Sequence, residues 1–320
     1  MRIYGNKTYS EYKKDPRGVA VALGNFDGVH LGHQALVAEL VKIAAEEGRQ
    51  SLVYTFEKHP MEVLSGGGAG KPRLIMTNAD KARIMEKLGA DGIFFESFDR
   101  EYAAMDCDTF AREIIRDKLG TAHAVVGSNY SFGLGGSGNP ETLKKLGEKY
   151  GFKVTVIEPV TVGGTVVSST LLRGLIATGD VGAFPEYAGR PYTVPGKVTH
   201  GRAVGRNLGF QTANITPKRG FATPADGVYA TKTLVDGKIY DGATNIGKNP
   251  TFGLRMRSIE TFLFDADVDL YGREIRVAFI KMLRPEIKFE SPELLEKQIA
   301  NDVAEAKTIL ARTDDPFAWL

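Results

Sequence analysis

The sequence predicts an α/β protein in two parts: a parallel sheet flanked by helices, then a small closed β-barrel with a terminal helix. Three observations carry this. Short apolar runs alternate with helically spaced runs from residue 19 to about residue 180, the pattern of strands joined by crossover helices. After about residue 185 that alternation gives way to successive strand-like runs rich in Val, Thr, Tyr and Phe. A capped, amphipathic run starts at Ser291. The boundary falls at Gly189-Arg190-Pro191-Tyr192, a link, which gives domains 1–185 and 186–320.

In the first part the candidate strands are 19–24, 51–56, 92–96, 123–127 and 153–158, with helices near 31–47, 78–88, 106–118 and 140–150. The run Val19–Leu23 is small and apolar, and Leu36, Val37, Leu40, Val41 and Ala44 share one face of the helix that follows. Between them lies GNFDGVHLGH at 24–33, a strand-to-helix turn. Backbone N–H groups are unpaired there and the helix dipole is positive, which favours a phosphate. Sheets of this type bind ligands at the carboxyl ends of their strands. Thr55-Phe56-Glu57-Lys58-His59-Pro60 and Gly127-Ser128-Asn129-Tyr130 end two further strands, so three polar turns gather at one edge. The glycine-rich stretch 64–70 reads as a loop without a special role.

In the second part, GVYATKTLVDGKIYDGATNIG reads as a hairpin around Asp236-Gly237, a dipeptide suited to a tight primed turn. Two more strands fill SIETFLFDADVDLYGREIRVAFIKML. Ser291 caps the last helix and Pro292 takes its first position. Leu295, Ile299, Val303, Ala306 and Leu310 form its core stripe.

Bulk properties narrow the function. The 320 residues are 42% hydrophobic and 25% charged, ordinary for a globular protein. A net charge of +2 leaves no basic excess for a dedicated nucleic-acid binder. No apolar run approaches the roughly 18 residues of a membrane span, and MRIYGNKTYSEYKKDPRG lacks the core of a signal peptide, so the expectation is a cytoplasmic protein. The single cysteine, Cys107, excludes an intrachain disulfide and a zinc framework and reads as a half-buried structural thiol.

The residues of the opening turn suggest phosphate chemistry. His30 and His33 at a helix start can donate to phosphate oxygens where charge develops. Gly32 lets a ligand approach the backbone. Taken alone, both histidines read equally well as exposed polar residues. His59, His123 and His200 are scattered and give no second metal-spaced pair.

The H-x-G-H run resembles the signature of the nucleotidylyltransferase superfamily. The longer GNFDGVHLGHQALV, with Thr55–Pro60, Val126–Gly133 and Ser168-Ser169-Thr170-Leu171-Leu172-Arg173, is similar to the adenylyltransferase half of the bacterial bifunctional riboflavin kinase/FAD synthetases. The second half matches the riboflavin kinase pattern independently. It carries Gly196–Gly201, Gly205-Arg206, Gly209-Phe210-Gln211-Thr212-Ala213-Asn214, Asp226–Tyr229, Asn245-Ile246-Gly247, Ile259-Glu260 and Asp269–Gly272 in family order. The resemblance covers nearly the whole chain.

It implies a Rossmann-like nucleotidylyltransferase domain followed by a riboflavin kinase barrel. The implied enzyme phosphorylates riboflavin to FMN with ATP, releasing ADP, then adenylylates FMN with a second ATP to give FAD and pyrophosphate. Mg²⁺ accompanies the ATP; protein partners stay unassigned. In the kinase half the family match makes Thr212 and Asn214 metal and phosphate ligands and Glu260 the catalytic base, with Gly201, Gly205, Arg206, Gly209 and Asn245 around the nucleotide. Without the match, Thr212 and Asn214 read as a turn after a strand and Glu260 as a surface carboxylate on an alternating strand. In the adenylyltransferase half, His30 and His33 act on the phosphates, while Gly24, Asn25, Phe26, Gly32, Glu57 and Asn129 line the substrates. Ser168, Ser169 and Thr170 cap a helix, and with Arg173 they face the triphosphate in the family.

The chain departs from the pattern in places. Leu171 stands where many relatives are basic, Glu57-Lys58 replaces Asp-Pro, Gln211 replaces proline and Thr261 stands where His is common. The loop 133–138 lacks a basic residue. A riboflavin kinase with a weakened adenylyltransferase head is therefore the second reading. A flavin-binding regulator that has lost catalysis would lack Glu260, Thr212 or the histidine pair, and all are present.

Overall fold

The computed structural model describes residues 1–65, 71–199, 212–216, 218–248, 257–266 and 268–320. Packing divides the chain into two compact units, Met1–Ser168 with Leu320, and Ser169–Trp319.

The first unit runs β1 (Arg2–Gly5), β2 (Val19–Leu23), α1 (Leu31–Glu46), β3 (Ser51–Phe56), α2 (Met61–Leu64), α3 (Asn78–Lys87), β4 (Gly92–Glu96), α4 (Arg100–Ala103) and α5 (Cys107–Thr109). It continues with β5 (Thr121–Gly127), α6 (Pro140–Tyr150), β6 (Lys153–Ile157) and the small hairpin β7 (Thr161–Val162) and β8 (Thr165–Val166). Six strands form one sheet in the order β1-β4-β3-β2-β5-β6, and every pairing in it is parallel. β2 sits near the centre and is buried along its whole length, as expected of a strand covered on both faces. From β2 the chain builds outward through β3 and β4, then returns to the other side of β2 with β5. The switch of direction lies between β2 and β5, and sheets of this type bind ligands beyond the carboxyl ends of the strands at such a point. The turns after β2, β3 and β5 therefore share one edge.

The expected strands and helices form close to their predicted bounds; α2, α4 and the β7–β8 hairpin are short additions, and two further differences stand out. β1 is an added edge strand beside β4; only Tyr4 of its four residues is buried, so it has no alternation to read. The helix expected over 106–118 is α5 followed by a π-helix over Phe110–Lys118, whose Leu119 N–H reaches back five residues to Ile114 O at 3.0 Å. Cys107 is half-buried, as expected. It also explains two of the glycines of loop 133–138: a Cβ at Gly133 or Gly138 would meet its Sγ at 2.6 or 2.8 Å.

The second unit comprises α7 (Ser169–Thr178), α8 (Phe184–Ala188), β9 (Tyr192–Thr199), β10 (Thr212–Ile215), β11 (Gly227–Val235), β12 (Lys238–Lys248), β13 (Arg257–Leu263), β14 (Glu274–Pro285) and α9 (Pro292–Leu310). The six strands close into a barrel in the order β10-β13-β12-β11-β14-β9. All its pairings are antiparallel. α7 and α8 lie in the sequence ahead of the expected boundary, yet they belong by packing to this unit. The close seat of Gly179 against Tyr229 Oη and Met282 Sδ shows why: a Cβ there would come within 2.8 and 2.9 Å of them. The hairpin turn is where the sequence puts it, with Asp236 and Gly237 at φ 46° and 82°, both in the left-handed region that a primed turn requires.

Inside the barrel, alternate residues fill the core. Thr231, Thr244 and Thr261 are fully buried and chain their hydroxyls at 2.8 and 2.9 Å, so three neighbouring strands share a satisfied polar ladder. Outside, α9 packs through Ala306 and Leu310 on Ala230 and Phe264. Ser291 caps α9 by accepting from the Leu294 N–H. Asp302 on the same helix is buried and receives three guanidinium hydrogen bonds from Arg284 of β14 at 2.8–3.0 Å, pinning the helix to the wall.

Candidate functional site

In the first unit the turn after β2 is held in a costly conformation. Phe26 and Val29 have φ of 49° and 33°, with Gly28 between them at 85°. Three side chains, one of them its own, fix it. Asp27, buried, accepts the Ile75 N–H at 3.0 and 3.2 Å. Gln34 donates to Val29 O at 2.9 Å. Lys81 of α3 donates to Asn25 O at 2.8 Å.

His30 is the N-cap of α1: its Nδ1 accepts the His33 N–H at 3.3 Å. That bond assigns the tautomer, since a neutral ring accepting at Nδ1 carries its proton on Nε2. The two imidazoles stack with centroids 3.6 Å apart and planes 19° off parallel. Phe26, fully buried, meets His33 edge-on at 5.1 Å. Its side chain supports the histidine and leaves only its backbone to face a ligand. Gly24 is tied to the same ring, because a Cβ there would sit 3.1 Å from Phe26. At Gly32 a Cβ would press the His30 ring at 3.2 Å. These two glycines thus protect the histidine geometry.

Asn25, Glu57 and Asn129 are exposed at the ends of β2, β3 and β5. Glu57 accepts from Ser97 Oγ at 3.4 Å. Ser168 closes the first unit, and Ser169, Thr170 and Arg173 open α7 in the second.

The sequence reading missed two features here. One is a set of aromatic rings at the same sheet edge: Phe56, Phe98 and Tyr102 pack mutually at 5.2–5.7 Å, and Tyr130 stacks on Phe132 at 5.7 Å. They come from separate elements, the end of β3, helix α4 and the segments beside them, so no periodic pattern announces them. The other is Lys81, whose signal was present: it shares a helical face with the buried Ile84 and Met85.

In the second unit, Thr212 and Asn214 lie within β10, where a turn was the reading of the residues alone; pairing with β9 and β13 makes them strand. Ala213 and Ile215 point into the barrel, so Thr212 and Asn214 face outward. On β13 the inward residues are Ile259 and Thr261, which turns Glu260 outward as well. Register then aligns them: Asn214 is opposite Glu260, and Glu260 is opposite Asn245 of β12. The three predicted residues form one polar row across three neighbouring strands. Asn214 is 9% exposed; Glu260 and Asn245 are half-buried. Ser258 donates to Glu260 Oε1 at 3.3 Å. Gly201, Gly205, Arg206, Gly209 and Gln211 lie outside the described residues.

No group of three His, Cys, Asp or Glu side chains among the described residues is arranged to hold a metal. The row and the outward Thr212 together offer a hydroxyl, two amides and one carboxylate. That all-oxygen set fits a Mg²⁺ that keeps water and nucleotide phosphates among its ligands, in contrast to one enclosed by protein.

Residues 12–171 match the FAD synthetase family, and residues 188–310 match the riboflavin kinase family. Among curated proteins, the bifunctional riboflavin kinase/FMN adenylyltransferase of Haemophilus influenzae is 36% identical over 292 residues, 91% of this chain and 94% of that protein. The protein of the same name from Listeria monocytogenes is 35% identical, over 92% and 93%, and that from Escherichia coli 34%, over 92% and 94%. A crystal structure titled as a macrolide-efflux protein from Streptococcus pneumoniae shares the fold with a TM-score of 0.86 at 28% identity, covering 96% of this chain and 99% of that one. Among the described residues of the present chain, no helix is long and apolar enough to cross a membrane.

Proposed function

This chain belongs to the bifunctional riboflavin kinase/FMN adenylyltransferase family, and from that premise we propose how its own residues divide the two reactions. The enzyme phosphorylates riboflavin to FMN and adenylylates FMN to FAD, with ATP as donor in both steps. We assign residues 186–320 to the kinase and 1–185 to the adenylyltransferase.

In the kinase half, Glu260 takes the proton of the ribityl hydroxyl as its oxygen attacks the γ-phosphorus and ADP leaves. The observation that carries this most directly is the outward row Asn214–Glu260–Asn245, which sets a carboxylate beside an amide oxygen on one face. Thr212 and Asn214 would hold Mg²⁺, which when bound neutralises phosphate charge. Asn245 borders the nucleotide. Gly201, Gly205, Arg206 and Gly209 keep their motif-based place in the nucleotide loop.

In the adenylyltransferase half, a phosphate oxygen of FMN attacks the α-phosphorus of ATP and pyrophosphate leaves, without a covalent enzyme intermediate. His30, through Nε2–H, and His33 donate to the phosphate oxygens as charge builds. The backbone at Gly24, Asn25, Phe26 and Gly32 gives the nucleotide close access. Glu57 and Asn129 contact substrate from the neighbouring strand ends. The rings of Phe56, Phe98, Tyr102 and Tyr130 offer a surface for the flat flavin. For Ser168, Ser169, Thr170 and Arg173 the motif supplies the assignment to the triphosphate, and for the chain as a whole the family supports a cytoplasmic setting.

A chromatographic time course with riboflavin, ATP and Mg²⁺ tests the reading. FMN rises first and gives way to FAD, and chelating the metal stops FMN formation. FMN that accumulates without FAD, even after fresh ATP, would leave only the kinase half standing.

A further inference from the structure

Lys81 is 6% exposed, and its ammonium lies directly behind the loop that carries the histidine pair. Burying an ammonium is expensive unless strong acceptors receive it. Here it donates to Asn25 O at 2.8 Å and to Thr55 Oγ1 at 3.3 Å, and the Thr55 hydroxyl donates in turn to the same Asn25 O at 3.0 Å. A methionine would fill the space on α3 at far lower cost, beside Ile84 and Met85.

The geometry gives the expense a purpose. The chain has no cis peptide among its described residues, so the C=O of Asn25 and the N–H of Phe26 lie in one plane and point in opposite directions. Drawing the carbonyl inward turns the Phe26 N–H outward, in the segment where Phe26 and Val29 already occupy left-handed backbone. We infer that Lys81 is a positioning residue for FMN adenylylation: by holding the Asn25 carbonyl and the Thr55 hydroxyl it keeps the Phe26 N–H turned toward the nucleotide phosphates. This rests on the assignment of the loop to ATP.

The charge state of Lys81 supplies a readout that packing alone would not. Burial lowers its pKa to about 8, partly offset by the negative charge of Asp27. Asp27 faces it from the β2 turn, Thr55 from β3 and the Phe95 ring from β4, at 6.0 Å from the ammonium. On α3 itself, Asp80 pairs with Arg83 and the Thr77 hydroxyl. The ammonium form is the effective one, so the adenylylation rate falls as pH rises through this range.

The experiment is steady-state FMN adenylylation by the full chain between pH 7 and 9, for wild type, Lys81→Met and Lys81→Arg. Lys81→Met lowers kcat/KM for ATP by about 100-fold, the scale expected of a misplaced contact, leaves the KM for FMN within about threefold, and flattens the alkaline limb. Lys81→Arg, which stays charged at these pH values, regains at least about tenfold over Met and also loses the limb. A Met variant within about twofold of wild type, or Met and Arg equally impaired, overturns the inference. If Lys81→Met fails to fold, Lys81→Arg alone decides: an alkaline limb identical to wild type overturns it. His30→Asn is measured in parallel. If it keeps full FAD synthesis, the loop assignment itself fails; if it is impaired while Lys81→Met is not, only the role of Lys81 is removed.

Discussion

Glu260→Ala reduces riboflavin phosphorylation by at least about 100-fold, the usual contribution of a positioned general base, while FMN-to-FAD conversion stays within about twofold of wild type. The separation follows from where the residue sits. Glu260 points out of the barrel, whereas its neighbours Ile259 and Thr261 fill the core. Removing its side chain therefore opens no core cavity and leaves the Thr244–Thr261 hydroxyl contact intact. Its backbone partners Asn214 and Asn245 stay in register. The loss should appear in kcat for FMN formation, with the thermal midpoint of the chain little changed. An equal loss of both activities would mean that the two halves do not hold separate sites.

Replacing His30 and His33 produces the reverse. FAD formation from FMN falls by at least about 100-fold, the effect of removing a single donor to a developing oxyanion, and riboflavin phosphorylation continues. His30 needs a discriminating substitution, because its Nδ1 also caps α1 by accepting the His33 N–H. Alanine would remove ring and cap together, and loss of a cap costs about 1 kcal/mol. Asparagine retains a capping oxygen and removes only the imidazole. His30→Asn, His33→Asn should thus be as inactive in adenylylation as the double alanine variant, yet melt at a higher temperature. Activity restored by the asparagines would reassign His30 to capping alone.

The parts of this molecule that depend on local pattern were readable in the sequence. Val19–Leu23 is apolar on both faces because β2 is covered on both sides. Asp236-Gly237 announces its turn through residues that tolerate positive φ. Ser291 and Pro292 mark the start of α9. The adenylylation motifs were also readable as turns at one edge, since parallel strands put all their carboxyl ends together.

What strand pairing assembles was not readable from the residues. Nothing in Thr212-Ala213-Asn214 alone says strand, and that segment becomes one only between β9 and β13. The Asn214–Glu260–Asn245 row exists through register, which a one-residue slip would destroy by turning Glu260 into the core. The aromatic rings near β3 and β5 come from separate segments with no common period. Lys81 lay between these cases: a lysine on an apolar helical face was visible, but its carbonyl partner lies in another segment of the chain.

The central claim is that one chain carries two separable sites, each complete in its own half. Mixing Glu260→Ala with His30→Asn, His33→Asn and supplying riboflavin, ATP and Mg²⁺ tests it most directly. Neither sample alone makes FAD from riboflavin: the first forms no FMN, and the second stops at FMN. The account predicts that the mixture forms FAD after a lag in which FMN accumulates. A mixture in which FMN accumulates and no FAD follows would contradict it.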